Sequence, residues 1–424
     1  MRVLIIGCGA SGAAAAIAAA EAGHKVTVLD KNRKPLKKLG VTGNGRCNLM
    51  NRLEPVLYGG TAFAKEVATR MDRHSIADFL TGLGLSLVTD ESSRVYPSCF
   101  MASVVVDAFL TRMKELNVEI LQNMEVTSIR PEKGGFAVEA TESLYAPSTQ
   151  KKSGKEKKGE LLSQKSRHFS ADRVILAAGG KAAPAHGTDG TAYRLAEVLG
   201  HSVLPQKPAL CPLLTETEPI QGLEGCRVKA GLKLLNRQGD VLHHSDGEAL
   251  FTAEGVSGIA AMQLARFVED GCTLSMDMAP ALTGLDSTAL PGWMDQRLSK
   301  RGHLPPNRFL QGTGVPALLD AILRRAGLSG CTVPANTLGS AQRSALETAI
   351  CDFRLSVSGV KGFEAAQVTA GGIATEEVSP ATMESRIIPG LFITGEILDV
   401  DGDCGGHNLY FAFATGLLAG RCSE

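Results

Sequence analysis

Val3-Leu4-Ile5-Ile6-Gly7-Cys8-Gly9-Ala10-Ser11-Gly12 is the stretch whose reading decides the fold. Four apolar residues run into a Gly-x-Gly-x-x-Gly loop, the pattern of a strand buried on both faces of a parallel sheet. An alanine-rich stretch from Ala13 to Ala22 follows, with strong helix propensity, and closes at Gly23. Lys25-Val-Thr-Val-Leu29 is a second strand, with Asp30 at its carboxyl end. Strand, glycine loop, helix and strand within about thirty residues make a βαβ unit. Gly7 suits the tight turn, Gly9 lets backbone amides approach a pyrophosphate, and Gly12 permits close helix–strand packing. Ala10 and Ser11 open the helix whose amino end favours that negative charge. Asp30 lies 18 residues beyond Gly12, near the spacing of an acid that accepts ribose hydroxyls.

The rest of the chain sets the context. With 424 residues it exceeds what one core usually fills, so two or three domains are expected. Lys+Arg 44 balances Asp+Glu 44, which argues against nucleic acid or an anionic membrane as the main partner. Gly 47 is well above the usual share of roughly 7%. Ten cysteines are scattered without a CxxC, which removes zinc-ribbon spacing and an adjacent dithiol pair and points to a reducing cytoplasm. Arg2 and the following apolar run loosely imitate a signal peptide, but the glycine spacing explains them better. The longest apolar runs fall short of a membrane span.

Outward from the first unit, residues 61–84 and 101–116 read as helical, and 117–120, 125–130 and 136–139 as short strands. Glu132-Lys133-Gly134-Gly135 is a hairpin turn. Pro147 to Arg167 is polar and lysine-rich, a solvated hairpin loop. Val174–Ala178 is another buried strand, ending in Gly179-Gly180. From about Gln206 to Met278 the segments alternate as a small antiparallel barrel or sandwich does. Residues 283–350 turn helical. A final strand, Leu391–Thr394, ends at Gly395-Glu396, and Gly405-Gly406-His407-Asn408-Leu409 opens a last helix, 409–421. The fold class is α/β, with Rossmann-like dinucleotide-fold elements at both ends of the chain bracketing the β-rich and then helical stretch. The boundaries are 1–205, 206–282, 283–350, 351–368 and 369–424.

The position of the third nucleotide signal selects FAD over NAD as the tightly held cofactor. It lies far along the chain, where a strand ending in glycine and an acid brings Glu396 to the ribityl hydroxyls. The amides of Gly405 to Leu409 then face the flavin edge that gains negative charge on reduction. In Thr42-Gly43-Asn44-Gly45-Arg46-Cys47-Asn48 two glycines let the loop pass a flat ring, and Arg46 offers five N–H donors.

Several motifs together resemble the bacterial FAD-dependent family that includes aminoacetone oxidase and a bile-acid dehydro-reductase. They are Gly7–Gly12, Thr42–Asn48 with Asn51, Arg94-Val-Tyr-Pro97, Ala177-Ala-Gly-Gly180, Thr188-Asp-Gly190, Leu250-Phe-Thr252 with Ser257-Gly258, Thr369-Ala-Gly-Gly-Ile373, and Gly395–Val400 with Gly405–Leu409. The resemblance spans the whole length and implies a Rossmann-like, three-layer FAD-binding domain interrupted by an inserted antiparallel β-barrel that carries a small helical subdomain. The chain departs from the family pattern at Ala253, Ile259, His407 and Tyr410, so a relative's substrate transfers weakly. The remaining expected cofactor contacts are Lys31, Lys38, Thr42, Gly43, Cys47, Val126, Ala178 and Gly179.

The resulting expectation is an FAD-dependent oxidoreductase that reduces an activated C=C bond of a small molecule. NADH or NADPH would act transiently, since no second glycine fingerprint follows a strand. Substrate would sit between the flavin and the barrel. His407 and Arg46 are the expected catalytic residues, His407 as proton donor or as a neutral hydrogen-bonding imidazole. Cys47 reads as a packed thiol, and a redox couple with Cys404 requires the fold to bring the two together. His243-His244 read as exposed loop histidines. Asp399, Asp401 and Asp403 read as a flavin-side loop rather than a Ca²⁺ site, and no metal is expected. O₂-dependent amine oxidation, a non-catalytic flavin redox sensor and an RNA-modifying flavoprotein are the competing readings. The sequence is silent on oligomeric state.

Overall fold

The computed structural model describes residues 1–146, 151–152, 155–156 and 159–421. The chain divides into two compact units, one of Met1–Lys207 with Val368–Glu424 and one of Pro208–Gln367.

The first unit is built on a five-stranded parallel sheet. Its order is 391–393, 173–176, β1 (Arg2–Ile6), β2 (Lys25–Asp30) and 119–122. β1 is central, pairing Val3–Ile6 with Arg173–Leu176 on one side and Arg2–Ile6 with Lys25–Leu29 on the other. Both of its faces are covered, which explains the unbroken run Val3-Leu4-Ile5-Ile6, all buried. An antiparallel sheet of 124–132, 135–145 and 161–171 joins this core. Its first hairpin closes at the turn expected from Glu132 to Gly135, and Ile129, Phe136, Val138 and Ala140 point inward.

The alanine-rich helix α1 (Ala10–Glu21) is explained by what it packs on. The helix His407–Arg421 lies against it with Gly416 and Gly420 at the contact. A methyl group on Gly416 would fall 2.2 Å from Ser11 O, and one on Gly420 would fall 2.5 Å from Ala15 O. Small residues on both helices let the backbones touch, so α1 is short-chained for packing as well as for helix propensity.

Four local expectations are corrected. Residues 61–84 form two helices, Thr61–Arg70 and Arg73–Gly82, because the Asp72 side chain accepts from Ser75 N and caps a new start. The last helix starts at His407, two residues before the expected position. The second part of the lysine-rich stretch is a strand, 161–171, paired in register with 135–145; residues 147–150, 153–154 and 157–158 lie outside the described residues. His243 and His244 sit in the strand Val241–Thr252, and the half-buried His243 stacks on Phe267 with centroids 4.1 Å apart.

One polar cluster fastens the far side of this unit. His201, with its side chain 0% exposed, places Nδ1 3.0 Å from Glu377 Oε2 and Nε2 2.9 Å from Ser385 Oγ. Ser385 Oγ accepts from the amides of Ile387 and Ile388, so it donates its own proton to Nε2. Nδ1–H is then left to donate to Glu377. The spacing is that of a hydrolytic triad, but the burial excludes any substrate from the serine.

The second unit is a closed antiparallel barrel of 213–215, 255–257, 241–252, 227–235, 273–277 and 353–360. Helices 290–301, 306–310, 316–325 and 340–351 interrupt it before its return strand Phe353–Val360. The inserted barrel with its own helical interruption is therefore the architecture.

Candidate functional site

In an open parallel sheet, ligands bind beyond the carboxyl ends of the strands. Here those ends carry Gly7 after β1, Asp30 closing β2, Ala177 to Gly180 after 173–176, and Thr394-Gly395-Glu396 after 391–393. Most of the expected cofactor residues are thus brought to one rim by the topology.

The glycines of the first loop divide by what surrounds them. Gly7, at φ +98°, would put a methyl 2.6 Å from Ala177 O, and Gly12 would put one 2.0 Å from Gly7 O. Gly9 would meet nothing within 4 Å among the described residues. It is also the cap of α1, with no side-chain cap and no acid in the first turn. An uncapped helix start with an open approach is the cradle a diphosphate fits. Ser11 is buried there, its hydroxyl under Gly395, where a methyl would fall 2.5 Å from Ser11 Oγ.

Asp30 is only 5% exposed. Its Oδ2 accepts from Cys8 N and its Oδ1 from Asn32 N, both at 2.7 Å. Burial raises its carboxyl above the ordinary aspartate range, and the two amides oppose that shift. Lys31 turns to Asp189, 2.5 Å away. Lys37 donates to Ala185 O and Lys38 to Ala182 O, so the 182–189 loop lies against residues 31–38. Val126 is half-buried on strand Met124–Glu132, opposite Ala140. Beside it in sequence, Asn123 Oδ1 is buried without a partner among the described residues.

Glu396 is held at the other end of the rim. Its Oε2 accepts from Lys38 Nζ at 2.7 Å, and its Oε1 accepts from the amide and hydroxyl of Thr369, both at 3.0 Å. Thr369 Oγ1 accepts in turn from the amides of Lys181 and Ala182. Lys38 and Glu396 were each expected near the cofactor; their pairing, and the part of Thr369, were not legible in sequence. Gly179, at φ +74°, lies under Thr188, and Ala178 is half-buried beside it. Two further buried hydroxyls, Tyr193 and Thr394, have no partner among the described residues. Orphaned polar groups at this rim fit a ligand rich in hydroxyls.

The Thr42–Asn48 loop and the Gly405–Leu409 segment form a third group. Gly43, Asn44 and Cys47 all adopt left-handed backbone, at φ +57°, +55° and +59°. The two non-glycines store strain that the surrounding packing must hold. The Asn48 amide, oriented to satisfy both neighbours, donates to Met50 O (3.1 Å) and accepts from Gly406 N (3.2 Å). Asn51 Nδ2 donates to Gly405 O at 3.1 Å. Asn408 spans Gly402, its Oδ1 accepting from the amide and its Nδ2 donating to the carbonyl, both at 2.8 Å. Gly406 backs onto Met50, with 2.5 Å to the nearest atom of a methyl placed there. The asparagines therefore clamp the glycine pair that opens the last helix, with Leu409 half-buried in its first turn.

Within this group Arg46 is exposed and makes no side-chain hydrogen bond or ion pair among the described residues. Cys47 is buried, and burial pushes its thiol up to about 11 against the Thr42 hydroxyl at 3.5 Å. It and Cys404 are both free thiols. His407 is 6% exposed and its Nδ1 accepts from Val56 N at 3.4 Å. Burial first, and the Arg94 charge second, bring its pKa down to about 4. The imidazole is neutral at pH 7, so it offers a hydrogen bond rather than a titrating proton. Asp403 accepts from the Tyr58 hydroxyl at 3.0 Å. Among the described residues, no group of three His, Cys, Asp or Glu could hold a metal ion, and no helix is long and apolar enough to cross a membrane.

The family described as HI0933-like protein Rossmann domain matches residues 1–422. The chain belongs to this family. It is an oxidoreductase and a flavoprotein, and FAD is the cofactor this rim fits. A 3-dehydro-bile acid delta(4,6)-reductase of Clostridium scindens is 34% identical to this flavoprotein, covering 100% of this chain and 98% of its own. A ribosomal RNA dihydrouridine synthase of Escherichia coli is 26% identical, covering 97% of this chain and 95% of its own. Among solved structures, a 3-ketosteroid-delta4-(5alpha)-dehydrogenase from Rhodococcus jostii covers 99% of this chain and 96% of its own, with 16% identity and a TM-score of 0.42.

Proposed function

We propose that this flavoprotein reduces a C=C bond conjugated to a carbonyl in a small organic substrate, with NADH or NADPH as the electron source. The observation that carries the reading is the full-length 34% identity to a reductase whose name specifies such bonds. In this reading Gly7, Gly9, Ala10, Ser11 and Gly12 hold the FAD pyrophosphate, and Asp30 and Lys31 the ribose. Lys38 and Glu396 serve the ribityl chain, and the Thr42–Cys47 and Gly405–Leu409 segments flank the ring. When bound, FAD supplies hydride transfer at N5. The protein supplies orientation: the fixed amides at the start of helix 407–421 favour negative charge on the ring edge. Neutral His407 donates from Nε2, because Nδ1 is the acceptor of the Val56 amide.

The test is anaerobic stopped-flow mixing with NADH and NADPH, followed by a panel of enones. Bleaching near 450 nm and its recovery on adding an enone are expected. A flavin that stays oxidised with both nicotinamides sinks the reductase reading and leaves O₂-dependent amine oxidation to be assayed. A second reading keeps the chemistry and changes the substrate to a uracil ring in RNA, favoured by the 26% identity to a dihydrouridine synthase. Recovery of the flavin with an unmodified ribosomal RNA transcript, and a gain of two hydrogens on uridine by mass spectrometry, would select it.

A further inference from the structure

Arg94 is a cation with no salt-bridge partner among the described residues. It opens the strand Arg94–Pro97, opposite Asn51. Its side chain is half-buried and makes no hydrogen bond or ion pair among the described residues. Asp90 Oδ1 accepts from the amides of Ser92 and Arg94, and Asp403 Oδ1 accepts from Tyr58. The Arg94 charge acts on both Cys404 and His407, at the head of helix 407–421. Asn51, its cross-strand partner, holds Gly405 of that same segment.

The strand alternates, with Val95 and Pro97 buried and Arg94 and Tyr96 on the open face. The Tyr96 ring lies 5.4 Å from that of Phe100. Phe100 and Met101 are 44% and 54% exposed, and Phe100 has left-handed backbone at φ +52°. One face thus carries a cation at one end and an apolar shelf at the other. A half-buried guanidinium attracts an anionic oxygen in fork geometry, and the exposed rings cover apolar surface.

We propose that Arg94 is the specificity-determining anchor for the substrate, and that it receives a carboxylate carried on an apolar body that lies along Tyr96 and Phe100. This rests on the reading of the rim beside helix 407–421 as the flavin end of the site, and it adds the substrate class. The distinction from Arg46 is burial: Arg94 is half-buried, whereas Arg46 is exposed, where an ion pair is worth little.

The test titrates FAD-loaded protein with acetate, hexanoate, octanoate and n-octanol, reading the flavin difference spectrum, with no nicotinamide and no reducible substrate. Octanoate is expected to perturb the spectrum and to bind more tightly than acetate by two- to fourfold per added methylene, with n-octanol much weaker. Arg94→Gln is expected to weaken octanoate about tenfold or more, with FAD content and thermal midpoint unchanged. If Arg94→Gln does not load FAD, Arg94→Lys keeps the charge and loses the fork, and it must bind octanoate more weakly than the parent. The proposal is overturned if octanoate leaves the parent spectrum unchanged, if n-octanol matches octanoate, or if the Arg94 variant that loads FAD binds octanoate as tightly as the parent. Octanoate binding through Arg94 in a protein that NAD(P)H does not bleach would instead sink the proposed reaction alone.

Discussion

Gly9 and Gly12 lie three residues apart and ask opposite things of a methyl group. Gly9→Ala adds a Cβ that meets nothing, so the apoprotein is expected to lose no more than the capping preference of glycine over alanine, about 1 kcal/mol. FAD binding is expected to weaken tenfold or more, because the methyl occupies the diphosphate's approach. Gly12→Ala drives a Cβ into the Gly7 carbonyl and is expected to cost about 2–4 kcal/mol with or without FAD. Denaturation of the two apoproteins beside flavin titration separates these roles, and equal losses of stability would refute the division. His407 makes a pH prediction. Its pKa falls from 6.5 to about 4 on folding, so the unfolded chain binds the extra proton between those values. Stability is therefore complete above pH 6.5 and falls as the pH drops toward 4, by up to about 3 kcal/mol. His407→Gln is expected to flatten that slope in denaturant titrations. Spacing alone made the three glycines and Asp30 readable. It did not reveal that the Cys8 amide closes on Asp30 or that Arg94 has no salt bridge among the described residues, because both depend on which distant segments arrive beside them.

Among the elements, β1 and α1 were readable because each carries a continuous local signal, apolar on both faces or alanine throughout. Why α1 is so small-chained lay in Gly416 and Gly420, at the other extreme of the chain, and no local pattern joins the two helices. The break at Asp72 was also local, but a cap inside a long helical pattern is easily read through. The His201–Glu377–Ser385 cluster left no sequence signal, since its members come from three separate segments. Ser385→Ala is expected to cost about 1–3 kcal/mol, because His201 Nε2 and two backbone amides lose their partner in a buried setting. Thermal denaturation checks this, and a loss below about 0.5 kcal/mol would mean that water takes over the hydroxyl's place.

For the molecule as a whole, composition excluded more than it identified, and the order of elements along the chain did the rest. Nucleotide-fold signals at both extremes with a β-rich and then helical stretch between them describe an insertion, and the structure has that arrangement. Because the sheet, α1 and the helix 407–421 all lie outside Pro208–Gln367, a chain in which a short flexible linker replaces that unit is expected to bind FAD. Absorbance near 450 nm after gel filtration is the measurement, and colourless protein of native circular dichroism would show that the insertion is needed for loading. The pairing of α1 with the helix 407–421 also constrains biosynthesis. The Gly7–Gly12 loop leaves the ribosome before the barrel, while the glycine pair, its asparagine-clamped loop and the helix that seats against α1 emerge only after the barrel has been made. Flavin capture is therefore expected only after synthesis, and chains truncated before Gly405 are expected to bind no FAD.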